Sequence, residues 1–176
     1  MIFQFLRRNP RRSLVEALFD RIATAARRPE LYGDAGVPDT LEGRFESLAL
    51  HTILVLRRLR QLPPPAPDIA QELVDQFFAN LDASLREMGV GDVTVPKRMK
   101  KLGQAFYGRA AAYDAALDAG DAAALGAVLS RNVLGAAAPA EALAAYVLAC
   151  DEALSRQDLD ALFARGPDCP APGAAS

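Results

Sequence analysis

From Leu41 to Leu62, apolar side chains recur around most of a helical circumference. Leu41, Phe45, Leu48, Val55, Leu59 and Leu62 fall on one stripe, while Leu50, Ile53 and Leu54 lie on other faces. A helix apolar nearly all round is either enclosed by other elements or held against a partner. The rest of the chain therefore has to provide cover, and its own pattern is helical. No segment alternates apolar and polar residues long enough for a strand, and the one β-branched cluster, Val93-Thr94-Val95, is too short for a sheet. The expected fold is all-α, a compact single-domain bundle of six or seven helices. With 176 residues, 51% of them hydrophobic and 24% charged, the chain has material for one core and not for two ordinary domains.

Caps and breakers set the expected boundaries. Ser13 with Glu16 three residues later reads as a capping box, opening a helix to Arg28 with Leu14, Leu18, Ile22 and Ala25 inward. Asp39 or Thr40 opens the long helix, which ends near Gln61 before PPPAP. Asp68 starts a third helix, running to Met88. After the GVGDVTVP loop, Pro96 suits the first turn of a fourth, running to Ala119. Further helices are expected to Leu134, from about Ala140 to Arg156, and from Asp158 to Arg165. Residues 1–12 read as a basic and apolar arm, 13–165 as the helical domain, and 166–176 as a disordered tail.

Composition excludes several chemistries. One His rules out a multi-His metal site, and two Cys rule out a disulfide framework or a four-Cys zinc site. No cofactor is expected. Cys150 and Cys169 read as incidental thiols of a reducing compartment. No segment approaches the roughly 20 apolar residues of a membrane span. The apolar run at the start precedes its charges, the reverse of a signal peptide. The expected location is the cytosol. GVGDVTVPKRMKK lacks the spacing of a phosphate-binding loop. Asp75 and Asp82, seven apart, are too far separated for a coupled acid/base pair.

A few polar residues remain to be explained. Arg44, His51 and Arg58 are spaced by seven and form one polar edge of the long helix, where His51 reads first as a hydrogen-bonded residue at the core edge. No Ser or Cys lies near His51 on that edge to serve as a nucleophile. Arg57, Arg58 and Arg60 sit at a helix C-terminus, where the dipole favours them without any partner. Lys97, Arg98, Lys100 and Lys101 do the opposite. They crowd the first turns of a helix, against its dipole, and suggest an anionic partner. Arg109, on the stripe of Leu102, Phe106 and Tyr113, requires a carboxylate or carbonyl partner, with Asp75, Asp82 or Glu87 as candidates, the alternative being an exposed binding residue. Arg7, Arg8, Arg11 and Arg12 beside Ile2, Phe3, Phe5 and Leu6 are consistent with a weak anchor on an anionic membrane surface. Residues 1–117 hold 17 bases and 14 acids, and residues 118–176 hold 3 and 8, so the net charge of −2 hides a basic first part.

The stretches LYGDAGVPDTLEGRFESLALHTILVLRRL and DQFFANLDASLREMGVGDVTVPKRMKKLGQAFYGRAAAYDAAL resemble the ubiquinol–cytochrome c chaperone family over residues 14–134. The segment LREMGVGDVTVPKRMKK with the following FYGR is the most specific part. The positions that carry the resemblance are Tyr32, Phe45, His51, Arg58, Leu59, Asp82, Met88, Gly89, Gly91, Lys97, Lys101, Tyr107, Gly108 and Arg109. Pro96, where a smaller residue is common, and the Pro-rich gap after Gln61 depart from the pattern. The resemblance implies a helical, non-enzymatic assembly factor of respiratory complex III. Its implied client is newly made cytochrome b, and its implied place is the cytoplasmic side of the inner membrane, with possible ribosome proximity. Relatives in eukaryotes work with a second chaperone subunit. On this reading the partner-binding residues are Lys97, Arg98, Lys100, Lys101, Tyr107, Arg109, His51 and Arg58. Two alternatives stand beside it: a small helical enzyme or small-molecule-binding protein built around His51 and Arg109, and a generic RNA- or ribosome-binding module using residues 97–101.

Overall fold

The computed structural model describes residues 10–135 and 139–173. Its helices are α1 (Pro10–Ala25), a single turn α2 (Pro29–Tyr32), α3 (Leu41–Gln61), α4 (Ala66–Glu87), α5 (Val95–Asp118), α6 (Ala122–Leu129), α7 (Glu141–Ser155) and α8 (Leu159–Arg165). A π-helical turn, Ser130–Leu134, extends α6. Among the described residues there is no strand, and the fold is all-α as expected.

α3 is the axis of the bundle. Its Thr40 cap accepts from the Gly43 amide at 3.0 Å, which fixes where the helix begins. Gly43 itself is required by space, since a Cβ there would sit 1.9 Å from the Pro38 carbonyl oxygen. From Ala49 to Leu56 every residue of α3 is buried. α1, α4, α5, α7 and the π turn pack around it, α6 bridges α5 and α7, and α8 lies on α1. The apolar circumference read from the sequence is thus enclosed by the chain itself.

α4 stops because Gly89 adopts φ +79°, which lets the Val90 amide turn back to the Leu85 carbonyl at 3.0 Å. Asp121 and Asp158 cap α6 and α8 through side-chain oxygens. Three expectations need correction. Ser13 lies inside α1 and Asp68 inside the first turn of α4, which begins at Ala66 after Pro65, so neither caps its helix and no capping box forms. Leu18, Ile22 and Ala25 of α1 face inward as expected, but Leu14 is 46% exposed and its place is taken by Val15, with Phe19 widening the buried face. The tail is docked as far as the described chain reaches. Gly166, Pro167, Cys169 and Pro172 are buried. Gln157 grips the tail from both sides, donating to the Gly166 carbonyl at 3.0 Å and accepting from the Asp168 amide at 2.8 Å. Arg28 donates to the Cys169 and Pro170 carbonyls.

Arg57 was expected to need only the helix dipole. It is 12% exposed and meets Asp118 at 2.7 Å, Asp151 at 3.0 Å and Asp114 at 3.4 Å. One guanidinium from α3 thereby fastens α5 and α7 and accounts for part of the acidity of the second half of the chain.

Candidate functional site

The structure separates the sequence candidates into an interior group and a surface group. His51 belongs to the interior. It is 1% exposed, and its Nδ1 lies 2.7 Å from the Ser47 carbonyl. A carbonyl only accepts, so Nδ1 carries the proton and Nε2 accepts from the Tyr146 hydroxyl at 2.7 Å. Tyr146 also borders the thiols of Cys150 and Cys169, both buried and unbridged. Burial, with the nearby Arg28 charge, holds the His51 pKa down from 6.5 to about 4, against the opposing pull of the Ser47 bond. Burial likewise pushes the Cys150 thiol up. His51 thus joins α3 to α7 and presents nothing to a partner. Arg58 is a second interior joint, its Nε donating to the Gln157 carbonyl at 2.7 Å.

Arg109 has a different partner from those expected. Its Nη2 meets Glu46 Oε1 of α3 at 2.6 Å, with the two side chains 18% and 12% exposed. Asp82 is occupied by Arg86 instead, and Asp75 accepts from Gln71. Burial raises the Glu46 pKa, and Arg109 offsets part of that rise. Burial and the Glu46 charge push Tyr113 up to about 12. Glu46 Oε2 and Arg109 Nε have no hydrogen-bond partner among the described residues. The pair is therefore only half satisfied, the arrangement in which removing one member leaves a stranded charge. His51 bonds to Ser47 and Tyr146 and Arg109 to Glu46, and no side-chain hydrogen bond among the described residues links the two side chains or their partners into one catalytic constellation.

The surface group lies along α5. Lys97, Arg98, Lys100 and Lys101 are all exposed and make no ion pair among the described residues. From Val93 to Tyr113 the chain carries five bases and no acid. At about 100° per residue, Lys97, Lys100, Lys101 and Tyr107 share one face of the helix. Tyr107 is 57% exposed and ends an aromatic ladder that starts in the core. Phe77 stacks on Phe106 with centroids 4.7 Å apart, Phe106 meets Tyr107 at 5.6 Å, and Phe78 closes the group at 5.5 Å from Phe106 and 6.2 Å from Tyr107. Beside Tyr107 lies a trough of about 230 Å³ between α3, α4 and α5. Ile53 and Leu56 come from α3, Ala70 and Val74 from α4, and Phe106 and Ala110 from α5. Arg60, held by Asp114 at 2.7 Å, stands at its edge. The trough drew no notice in the sequence because its lining is shared among three helices far apart in the chain, although the alternation of Phe106 inward and Tyr107 outward was there to be read.

Of the four N-terminal arginines, Arg7 and Arg8 lie outside the described residues. Arg11 is paired with Glu72 at 2.7 Å and Arg12 with Glu16 at 3.0 Å. Arg11 thereby ties α1 to α4, while Arg12, 75% exposed, pairs within its own helix. No helix of the described residues is long and apolar enough to cross a membrane, and none of their His, Cys, Asp and Glu side chains cluster as a metal site would require.

Two outcomes follow. Arg109→Leu should lower the unfolding free energy by about 3 kcal/mol, and Glu46→Leu/Arg109→Leu should recover most of that, because the stranded carboxylate is removed with its partner. Denaturant unfolding at neutral pH measures both, and a double variant no better than the single would contradict the pairing. For His51, the unfolded ring titrates near 6.5 and the folded one near 4. The unfolded chain therefore takes up its proton first. Stability should fall by about 3 kcal/mol between those two pH values, and His51→Gln should flatten that part of the profile.

The comparisons agree with this architecture. The family model for the ubiquinol-cytochrome C chaperone matches residues 33–169, beyond the expected limit at residue 134 and into the docked tail. A Xenopus laevis protein named ubiquinol-cytochrome-c reductase complex assembly factor 1 is 27% identical over 105 residues, 60% of this chain. The match spans about half of that relative, 52% of its length. The crystal structure of the Cbp3 homolog from Brucella abortus superposes with a TM-score of 0.81 at 44% identity, covering 97% of each chain. With the family match running through the helical core and its α5 face, the chain belongs to the ubiquinol–cytochrome c chaperone family.

Proposed function

We propose that this chain is a non-enzymatic assembly chaperone for the ubiquinol–cytochrome c reductase, and that it holds newly made cytochrome b on the α4/α5 face centred on Tyr107. The observation that carries this reading is the trough itself. It is apolar, open beside a half-exposed tyrosine, and backed by a rigid aromatic ladder. An amphipathic or fully apolar helix of a membrane protein docks into such a groove through side chains one turn apart. Tyrosine contributes area at little cost in conformational freedom, which is why it recurs at binding centres. The cations of α5 begin about 9 Å from Tyr107, six residues away at 1.5 Å each, and suit the acidic or phosphate-bearing surroundings of a client at the membrane.

The other chemistry-bearing side chains support the same reading by being occupied. His51, Arg57, Arg58 and Arg109 are all engaged in holding helices together. What remains exposed is a surface suited to contact and not to bond making.

Tyr107→Asp should lower stability by only about 1–2 kcal/mol, since the ring is half exposed but packs on Phe78 and Phe106, and should weaken client capture by at least about tenfold. The measurement is the level of assembled cytochrome b in cells whose own copy is deleted and replaced by the variant. Full assembly in the deletion itself would overturn the proposal.

A further inference from the structure

The turn between α4 and α5 presents apolar side chains where a purely solvated loop would not. Val93 is 95% exposed and Met88 51% exposed. Their position is fixed by their neighbours. Val95, two residues on, is 1% exposed and anchors the start of α5 in the core. The Val90 amide is tied to the Leu85 carbonyl at 3.0 Å. Arg86 binds both Asp82 and Asp92, so the acid of the turn is neutralised and the turn is braced against α4. Beyond Asp92 the next acid is Asp114, and Lys97, Arg98, Lys100 and Lys101 follow the protruding valine, exposed and with no ion pair among the described residues; the exposed Glu87 beside Met88 is the one acid at this end of α4 that has no ion pair there. The dipole of their own helix opposes the four cations. The first turn of α5 contains no acid, and Thr94 makes no side-chain capping bond.

We propose that this turn and the first two turns of α5 form a docking tip for the surface of an anionic lipid bilayer, with Val93 and Met88 entering the headgroup boundary and the four cations contacting lipid phosphates. The combination decides the kind of partner. Cations alone would suit any polyanion, but single-stranded nucleic acid is held by aromatic platforms on which bases stack. Residues 88–101 contain no aromatic side chain, and the exposed Tyr107 on the same face stands alone, six residues beyond the last cation, where successive bases would need several platforms. Aliphatic groups beside lysines are the composition of a bilayer-surface contact, each cation adding attraction within a Debye length of an anionic leaflet. The tip places α5, and with it the trough, close to a membrane without any spanning helix. The tip needs no client for its own action, so its test is independent of the proposed client contact.

The chain contains no tryptophan, so Val93→Trp in the full chain introduces a single fluorescent reporter at the tip. It is mixed with vesicles of phosphatidylcholine alone or with added phosphatidylglycerol. The expected result is a blue shift and protection from aqueous quencher on the anionic vesicles only, diminishing as salt is raised. Replacing Lys97, Lys100 and Lys101 by Gln should weaken partitioning on the order of a hundredfold. In flotation without the reporter, Met88→Asp should also reduce binding while the helical signal is kept. Equal binding to neutral vesicles, no shift on anionic ones, or undiminished binding by the triple variant would overturn the proposal. So would displacement from anionic vesicles by a short single-stranded RNA at lower concentration than the lipid, which would assign the patch to nucleic acid.

Discussion

A helix with no solvent face has to be surrounded, and the enclosure of α3 is the constraint from which the rest of this structure follows. Its stretch from Ala49 to Leu56 is buried residue by residue, which a single neighbour cannot achieve. Helices are needed on all sides, and α1, α4, α5 and α7 provide them. Burying α3 also buries the polar groups it carries. Each then needs a partner on a neighbouring helix, or the enclosure loses free energy for every stranded group. His51 finds Tyr146, Arg57 finds three aspartates, Arg58 finds the Gln157 carbonyl, and Glu46 receives Arg109. The polar contacts of α3 are thus a consequence of its apolar ones.

That accounting separates structure from function. Residues that look reactive in the sequence are used up inside, and those left over are on one side of α5. A client-holding protein has reason to be built this way. Rigid interior joints keep a contact surface in shape, while the surface itself stays unsatisfied until something docks. Tyr107 illustrates the arrangement, being stacked on Phe106 and Phe78 from behind and open in front. Its ring is held in place before binding, so less freedom is lost when a partner arrives.

The helices were legible because their signals are local. Thr40, Asp121 and Asp158 are each read within three residues of the amide they cap, and the pattern of α3 repeats over 21 residues. The pairing of Arg109 was half legible. Its need for a carboxylate follows from its place on the stripe, but Glu46 is 63 positions away and on another helix. The three aspartates around Arg57 were hidden for the same reason. The tail misled because proline, glycine and alanine suggest disorder, whereas its order comes from Gln157 and Arg28, whose contacts no local pattern announces. The misplacement of Leu14 has a similar origin, since Leu14 and Val15 are both apolar and only the packing chooses between them. The basic turns of α5 were visible at once, because their charge runs against their own helix.

The trough beside Tyr107, proposed as the surface that holds the client, can be probed in place. Photo-crosslinking in membranes during cytochrome b synthesis does so, with the reactive group placed at Tyr107 or at Gln71, which lines the trough from α4, and, for comparison, at exposed positions 20 and 152 on other helices. The account predicts that cytochrome b is captured from 107 and 71 and not from 20 or 152. Capture from 20 or 152 with none from 107 or 71 would contradict it.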